Sequence, residues 1–217
     1  GFYRPHVPFF PPRRVYDSLE KVALPEVKEG DWNDIPDAAR KVSLSNPKIP
    51  THDWMKENNR WQLAVQAYLA CVRWTDDQLG RVLDALDKGP YAKDTIVVLF
   101  SDHGYHLGEK QRWSKFSLWE RTTRVPLIIS MPKGLRANLG SPGVSGQPVE
   151  LLSIYPTLID LCGLPENPAL EGVSLQPLIK KPDARWNHVA ISTLGQNNHA
   201  IRDAHWRYIR YSDGSEE

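Results

Sequence analysis

Cysteine is scarce in this chain, whose 217 residues include only Cys71 and Cys162. The two residues lie far apart and match no metal-binding or redox spacing. Each falls inside a hydrophobic helical pattern, so we predict that both thiols are buried. The cysteines therefore point to no zinc finger or dithiol motif, and they do not indicate a compartment.

Long hydrophobic runs are missing as well. The longest apolar stretches, Thr95 to Phe100 and Val125 to Met131, have the length of strands, whereas a membrane-spanning helix needs ~20 apolar residues. An excess of one charge is also missing, because 27 Lys and Arg against 26 Asp and Glu leave a net charge of +1. We therefore expect no membrane span and no nucleic-acid partner.

A strong helical period is present in the first half of the chain. Apolar residues recur every three or four positions from about Asn59 to Lys88, which predicts a long amphipathic helix. Asn58 or Asn59 can cap its start. Gly89-Pro90 should end it, with the glycine in a left-handed conformation.

Strand signals alternate with helical ones. Residues 95–100 and 125–130 are continuous and apolar, which is typical of strands buried on both faces. The alternation predicts an α/β sandwich with a mixed or parallel sheet, although two such strands are too few to complete it. The remaining predicted elements are helices near 37–42 and 118–122, a helix over 153–162 capped by Ser153, and strands over 189–194 and 205–211.

The two ends of the chain lead us to expect a piece of a longer protein. Gly1 opens a proline-rich loop with no initiator methionine and no signal peptide. At the other end, turn residues 212–215 follow a strand-like segment as in the first half of a hairpin. An N-terminal half of the same protein would then supply the missing strands.

Residues suited to metal binding follow the first predicted buried strand. In open α/β sheets, ligands bind at the carboxyl ends of the strands. Asp102 offers an anionic oxygen there and His103 an imidazole, while Gly104 and Gly108 let the backbone turn closely around a bound group. The alternative is that Asp102 caps a turn and His103 makes a local hydrogen bond. Two ligands cannot complete a site in any case, since Ca²⁺ takes about 6–8 oxygens.

Basic residues interleaved with aromatic ones come next. The run from Lys110 to Phe116 includes Arg112, Trp113 and Lys115, which predicts either an oxyanion cradle or a solvated basic loop. A further cluster, Tyr3-Arg4-Pro5-His6, is a weak signal by itself.

Together these segments resemble the sulfatases of the alkaline-phosphatase superfamily, and most closely the iduronate-2-sulfatase-like branch. The resemblance covers nearly the whole chain and keeps the family's order of motifs. The matching segments are GFYRPHVPF at 1–9, SDHG at 101–104, LGE at 107–109, WSK at 113–115, Glu120, RVPLI at 124–128, YPTLIDLCGL at 155–164 and LEGVSL at 170–175.

The resemblance implies a fold and an activity. The fold would be an α/β/α sandwich, alkaline-phosphatase-like and incomplete here, with residues 1–182 in the C-terminal part of the main domain. Residues 183–217 would begin a small C-terminal antiparallel β portion. The activity would be hydrolysis of sulfuric esters on sulfated sugars, glycosaminoglycan or polysaccharide, by an exported or lysosomal enzyme.

The resemblance also implies roles for individual residues. Asp102 and His103 would be two ligands of one Ca²⁺ ion, and Lys115 and His6 would contact the sulfate group. An imidazole is an unusual ligand for Ca²⁺, and by itself His103 would indicate Zn²⁺ or Mn²⁺.

Three further residues would line the substrate pocket. Tyr105 and His106 lie where the family builds that pocket. Arg4 stands where this branch often has lysine, which keeps the charge but changes the donor geometry.

The nucleophile of the family is not found at either cysteine. Sulfatases convert a Cys or Ser in a Cys/Ser-x-Pro-x-Arg motif to formylglycine, and neither Cys71 nor Cys162 has that context. Formylglycine is therefore expected in the missing N-terminal part, and this chain alone is expected to be inactive. Two alternatives stay open: a phosphatase or phosphodiesterase of the same superfamily, and a non-catalytic, metal-dependent protein that binds sulfated glycan.

Overall fold

A computed structural model describes residues 1–132, 134, 139 and 141–217. Within the described residues, helices come first, helices and short strands are mixed over 97–180, and a three-stranded sheet ends the chain, so the predicted alternation holds only for the middle part. The described helices are α1 (Arg13–Asp17), α2 (Asp37–Ser43), α3 (His52–Glu57), α4 (Trp61–Asp87), α5 (Glu120–Thr123), α6 (Ile154–Cys162) and α7 (Gln176–Lys180). The described strands are β1 (Val97–Phe100), β2 (His106–Leu107), β3 (Trp113–Ser114), β4 (Leu127–Ser130), β5 (Ala190–Thr193), β6 (His199–Arg202) and β7 (Arg207–Arg210).

The long helix α4 confirms the periodic pattern, but its ends differ from the prediction. Its first turn follows Arg60, which makes no side-chain capping bond. Asn58 instead ends the preceding helix α3, because its backbone N–H donates to carbonyls of that helix. At the other end Lys88 keeps a right-handed conformation, and Gly89 is not among the described glycines with positive φ. Proline at position 90 is therefore the stop signal that remains.

The strands β1 and β4 pair with each other, and their burial differs from the prediction. They run antiparallel, with Val97 opposite Ser130 and Phe100 opposite Leu127. Phe100 is 49% exposed and Ile128 is 56% exposed. The expectation of strands buried on both faces is thus wrong for this chain, because no described element packs over these side chains.

The three strands β5, β6 and β7 form the C-terminal antiparallel sheet, in that order. Strand β6 was not predicted, because the segment His199–Arg202 carries no apolar run. The turn after β7 closes a hairpin within the chain, since Ile209 and Glu217 exchange two backbone hydrogen bonds of 2.8 and 2.9 Å. The second half of that hairpin therefore begins here.

Two hydrophobic clusters hold the segments that carry the predicted site. In one, Leu118 and Trp119 pack with Ala200 and Ile209 of the C-terminal sheet. Burying side chains of this size stabilises a fold by roughly 1.5–3 kcal/mol each. The other cluster contains Met55, Val65, Leu107 and Trp113, which fixes the β2–β3 hairpin against α4.

The cysteine and capping predictions fare differently. Cys71 is buried in α4, as predicted, whereas Cys162 is exposed at the end of α6. Ser153 makes no capping bond for α6, because it belongs to a preceding 3₁₀ turn, Leu151–Ser153. Gly163 ends α6 in a left-handed conformation, as predicted. None of the helices in the described ranges is both long and apolar enough to cross a membrane.

Candidate active site

Three side chains predicted to act together meet at one point of the structure. The Nζ atom of Lys115 lies 3.1 Å from Nε2 of His6 and 2.9 Å from Nε2 of His103. These residues are 109 and 12 positions apart in the chain. The fold therefore brings the N-terminal loop and the two ends of one hairpin together around a single ammonium group.

The hairpin of β2 and β3 explains why His103 and Lys115 meet. Its register places His106 opposite Ser114 and Leu107 opposite Trp113. His103 lies just before the first strand and Lys115 just after the second, so the two are neighbours at the open end. Ser114 has φ of 106°, a conformation that residues with a side chain rarely adopt, and this sharp bend directs the chain into Lys115.

Backbone contacts hold both imidazoles in a defined tautomer. Nδ1 of His103 lies 2.8 Å from the carbonyl oxygen of Gly104, and Nδ1 of His6 lies 2.7 Å from that of Val7. A carbonyl oxygen only accepts, so both Nδ1 atoms carry the proton. The two Nε2 atoms are then free to accept hydrogen bonds from the ammonium of Lys115.

Asp102 extends this group toward solvent. Its carboxylate is 85% exposed, and Oδ2 lies 3.8 Å from Nε2 of His103. The neighbouring loop is fixed from beneath, because the backbone N–H of Gly104 donates to the carbonyl of Thr122 at 2.8 Å. Asp102 and Lys115 both line an open cleft of about 820 Å³.

A bound cation fits Asp102 and His103 in part. Their donor atoms are close enough to contact one ion, because ligands at about 2.3–2.6 Å from Ca²⁺ can lie up to roughly 5 Å apart. Within the described residues, no group of three or more His, Cys, Asp or Glu side chains is arranged to hold a metal. The two residues therefore supply part of a coordination shell. An ion bound to Nε2 of His103 would replace its contact with Lys115, since one lone pair cannot serve both.

The structure does not bring His106 to this group. Its side chain is 1% exposed, and its two ring nitrogens contact the carbonyl of Glu109 and the hydroxyl of Ser117, each at 3.2 Å. Burial lowers the pKa of His106 to about 4, so the ring is neutral near pH 7. The prediction that His106 lines a substrate pocket is corrected on this ground, because a fully packed imidazole cannot touch substrate.

Tyr105 and Arg4 make their described contacts elsewhere than at Lys115. The ring of Tyr105 packs against those of Phe9 and Tyr68, and burial raises its pKa to about 12. Arg4 donates from Nε to the carbonyl of Phe10 at 2.9 Å. Tyr105 thus packs the N-terminal loop against α4, and the bond of Arg4 lies within that loop. No described hydrogen bond or ion pair joins either side chain to His6, Asp102, His103 or Lys115.

Three charged residues along the same cleft were not predicted as a group. Glu120 lies at the start of α5, and Arg202 and Arg207 come from the C-terminal sheet. Glu120 belongs to a recognised motif, but the arginines stand in an unremarkable strand pattern. The sequence alone does not mark Arg207 as part of the site, because the strand pattern does not show that this residue faces the cleft.

Comparison with known proteins decides the family. The family model described as Sulfatase matches residues 2–164. The chain belongs to the sulfatase family. A sulfatase of Formosa agariphila is 44% identical over 222 residues, a match that covers 100% of this chain and 42% of that protein. Iduronate 2-sulfatase of Mus musculus is 33% identical over 204 residues, covering 77% of this chain and 36% of that protein. The chain thus spans about two fifths of the length of these sulfatases.

Solved structures confirm the α/β, alkaline-phosphatase-like fold of this sulfatase chain. A protein in complex with its substrate D-glucosamine-2-N,6-O-disulfate superimposes with a TM-score of 0.70 at 20% identity, covering 99% of this chain and 56% of that one. Phosphonate monoester hydrolase from Silicibacter pomeroyi gives a TM-score of 0.79 at 21% identity, covering 98% and 47%. At such identities the likeness concerns the fold alone, and the described chain is about half of it.

Proposed function

We propose that this chain forms the metal- and sulfate-binding side of a sulfatase active site that hydrolyses sulfate esters of sugars. The observation that supports it is the position of Lys115 between His6 and His103, with Asp102 beside them. These four residues are the ones that the resemblance marks for sulfate and metal binding.

The charge and the donors of this group suit a sulfate oxygen. An ammonium group has three N–H donors, and two of those of Lys115 are directed at imidazoles. The third is available to a sulfate oxygen on which negative charge builds during ester cleavage. Both imidazoles accept from the ammonium in this structure. A metal ion on Nε2 of His103 would take that lone pair, and Lys115 would then keep its contact with His6 and have two N–H donors for sulfate.

Asp102 and His103 would hold the divalent cation that sulfatases generally use, which we propose to be Ca²⁺. When bound, such an ion acts as a Lewis acid on the sulfate oxygens. The exposed carboxylate of Asp102 is free for this role. Further ligands would come from outside these residues, and the mixed O and N donor set also accommodates Zn²⁺ or Mn²⁺.

His6 has two chemical options, and both use Nε2. As a hydrogen-bond donor it would bind a sulfate oxygen, and as an acid it would protonate the sugar oxygen that leaves. Either option requires a second ring proton, on Nε2, because Nδ1 already donates its proton to the carbonyl of Val7. A protonated Nε2 no longer accepts from Lys115 and could instead contact the substrate.

The substrate class is proposed from the relatives. One is named for 2-sulfated iduronate, and a structural neighbour was solved with a disulfated glucosamine. We place this chain in the iduronate-2-sulfatase-like branch, with formylglycine in a part of the protein outside these 217 residues. We also propose that residues 1–182 belong to the main domain and 183–217 to a small β subdomain, and that the protein is exported or lysosomal.

The test uses the complete gene product that contains this chain. Turnover is measured with 4-methylumbelliferyl sulfate, the matching phosphate ester and a 2-O-sulfated disaccharide, before and after dialysis against EDTA. We expect metal-dependent release of sulfate, with the sulfate ester preferred to the phosphate ester. Preference for the phosphate ester would favour a phosphatase, and binding of the disaccharide without turnover would favour a glycan-binding protein.

A further inference from the structure

The segment that follows Lys115 is held from the opposite side by one residue of β7. Nη1 of Arg207 donates to the carbonyl oxygen of Leu118 and to Oγ1 of Thr123, both at 2.8 Å. Its Nη2 donates to Oε2 of Glu120 at 2.5 Å. A single guanidinium thus binds three residues of the segment 118–123, which begins three residues after Lys115. These partners lie 84 to 89 positions before Arg207 in the chain.

Hydrophobic packing reinforces this anchor. Leu118 is 3% exposed and packs with Ile209 on the same strand as Arg207. The backbone N–H of Ser117 donates to the carbonyl of Lys115 at 2.9 Å. Movement of the anchored segment would therefore be passed directly to the backbone of Lys115.

Arg207 differs from the other arginines near Glu120. Arg124 and Arg202 lie 3.6 and 3.7 Å from the same carboxylate, but their side chains are 80% and 32% exposed, against 18% for Arg207. Of these three arginines, only Arg207 also bonds, in the described contacts, a backbone carbonyl of the segment that follows Lys115. A largely buried guanidinium with several partners in fixed geometry is the strongest of the three restraints.

The residue on the other side of Lys115 is under backbone strain. Ser114 directly precedes Lys115 and has φ of 106°. Such a conformation costs of order 1–3 kcal/mol and persists only when surrounding contacts impose it. Lys115 is therefore held between a strained residue on one side and the Arg207 anchor on the other.

We propose that Arg207 is a positioning residue for the reaction, and that it acts by holding Lys115 between His6 and His103. This inference rests on the proposed function. It gives the C-terminal sheet a role in the active site that does not require contact with the substrate. Misplacement of a binding group by about 1 Å can cost up to roughly a hundredfold in rate.

A double-mutant cycle in the complete protein tests the coupling. Four proteins are compared for sulfate-ester turnover: wild type, Arg207→Gln, Lys115→Ala and the double variant. We expect Arg207→Gln to lower kcat about ten- to a hundredfold. In the Lys115→Ala background the same change should have an effect of about twofold or less, because the group that it positions is already absent. Arg207→Lys should recover part of the loss, since it keeps the charge but not the fork of donors.

Arg210→Gln is the control variant. It removes an exposed arginine from the same strand and should leave kcat unchanged. Equal losses from Arg207→Gln with and without Lys115 would overturn the proposal, as would an unchanged kcat in a folded Arg207→Gln protein. An inactive wild type would instead overturn the proposed function, so the two failures are distinct. If Arg207→Gln does not fold, the same cycle with Arg207→Lys decides.

Discussion

Two regions of the molecule contain polar side chains that include histidine, but they arrange them differently. In the open site, which consists of His6, Asp102, His103 and Lys115, the polar side-chain atoms contact one another, and Asp102 and Lys115 line a cleft. The buried cluster behind it contains His106, Ser117, Thr122 and Trp119. There His106 contacts two oxygens, and the hydroxyls of Ser117 and Thr122 lie 2.9 Å apart.

The difference shows that burial and pairing separate a histidine that can take a ligand from one that belongs to the packed interior. His103 and His106 are three residues apart in one loop. His103 keeps Nε2 directed at an ionic group with solvent nearby, so it can exchange partners. Both ring nitrogens of His106 contact oxygen atoms inside the protein. A change of partner there would leave a buried polar group without a hydrogen bond.

The largest effect is expected in the open site, from Lys115→Ala. Removing the ammonium leaves charge on the sulfate oxygens without its balancing donor, so kcat in the complete protein should fall roughly ten- to a thousandfold. Steady-state kinetics on a sulfate ester measures it. Lys93→Ala, at an exposed lysine, is the matched control and should have no effect. Turnover near the wild-type value in a folded Lys115→Ala protein would remove Lys115 from the reaction.

The next effect belongs to the buried cluster and depends on pH. Burial lowers the pKa of His106 from 6.5 to about 4, opposed by its bond to the Glu109 carbonyl and assisted by Arg112, Arg121 and Lys110. Between these values the unfolded state binds more protons, so the free energy of unfolding falls as the pH drops from 6.5 to 4. The loss amounts to about 3 kcal/mol across that window.

Urea unfolding of wild type and His106→Gln at several pH values isolates this contribution. The glutamine variant lacks the titrating ring, so the wild-type curve should be steeper between pH 4 and 6.5 by about 1.4 kcal/mol per pH unit. Carboxylates that titrate in the same range affect both proteins alike. If the stability of the two proteins changed with pH in parallel, the folded protein would bind a proton on His106 as readily as the unfolded one. The contrast with His103 would then fail.

A smaller effect is expected where the two regions touch, at Gly104. A Cβ atom at this position would overlap the carbonyl oxygen of Arg121, which is backbone and cannot rotate away. Gly104→Ala should therefore destabilise the protein by about 1–3 kcal/mol and displace His103. Gly80→Ala is the control, because its Cβ meets no atom within 4 Å and the residue lies in α4. Equal melting temperatures for the two variants would contradict the close approach.

Much of the fold could be predicted because the signals are local. The 3.6-residue period predicted α4, and the run before Ser101 predicted β1 with Asp102 and His103 at its end. Strand burial could not be predicted in the same way. A continuous apolar run shows that a strand suits coverage on both faces, but it does not show whether the covering elements lie in these residues.

The candidate site was harder to predict from sequence patterns than the fold. The pairing of His6 with Lys115 spans 109 positions and was expected only through the family resemblance. His106 packs against Trp119, and Trp119 is in turn buried against the C-terminal sheet, so no pattern near His106 in the sequence could separate it from His103. Arg207 was missed for the same reason, because its partners lie 84 to 89 positions away.

The smallest effect is expected at Cys162, for which the sequence predicts the same burial as for Cys71. Cys71 is buried in α4, whereas Cys162 is exposed in the last turn of α6. Cys162→Ser should change stability by less than about 0.5 kcal/mol, because water solvates the hydroxyl. Cys71→Ser should cost about 1–3 kcal/mol, since the hydroxyl is then buried among apolar groups. Melting temperatures of the two variants, together with thiol labelling of the native protein, check both values, and rapid labelling of Cys71 would show that burial in α4 does not protect it.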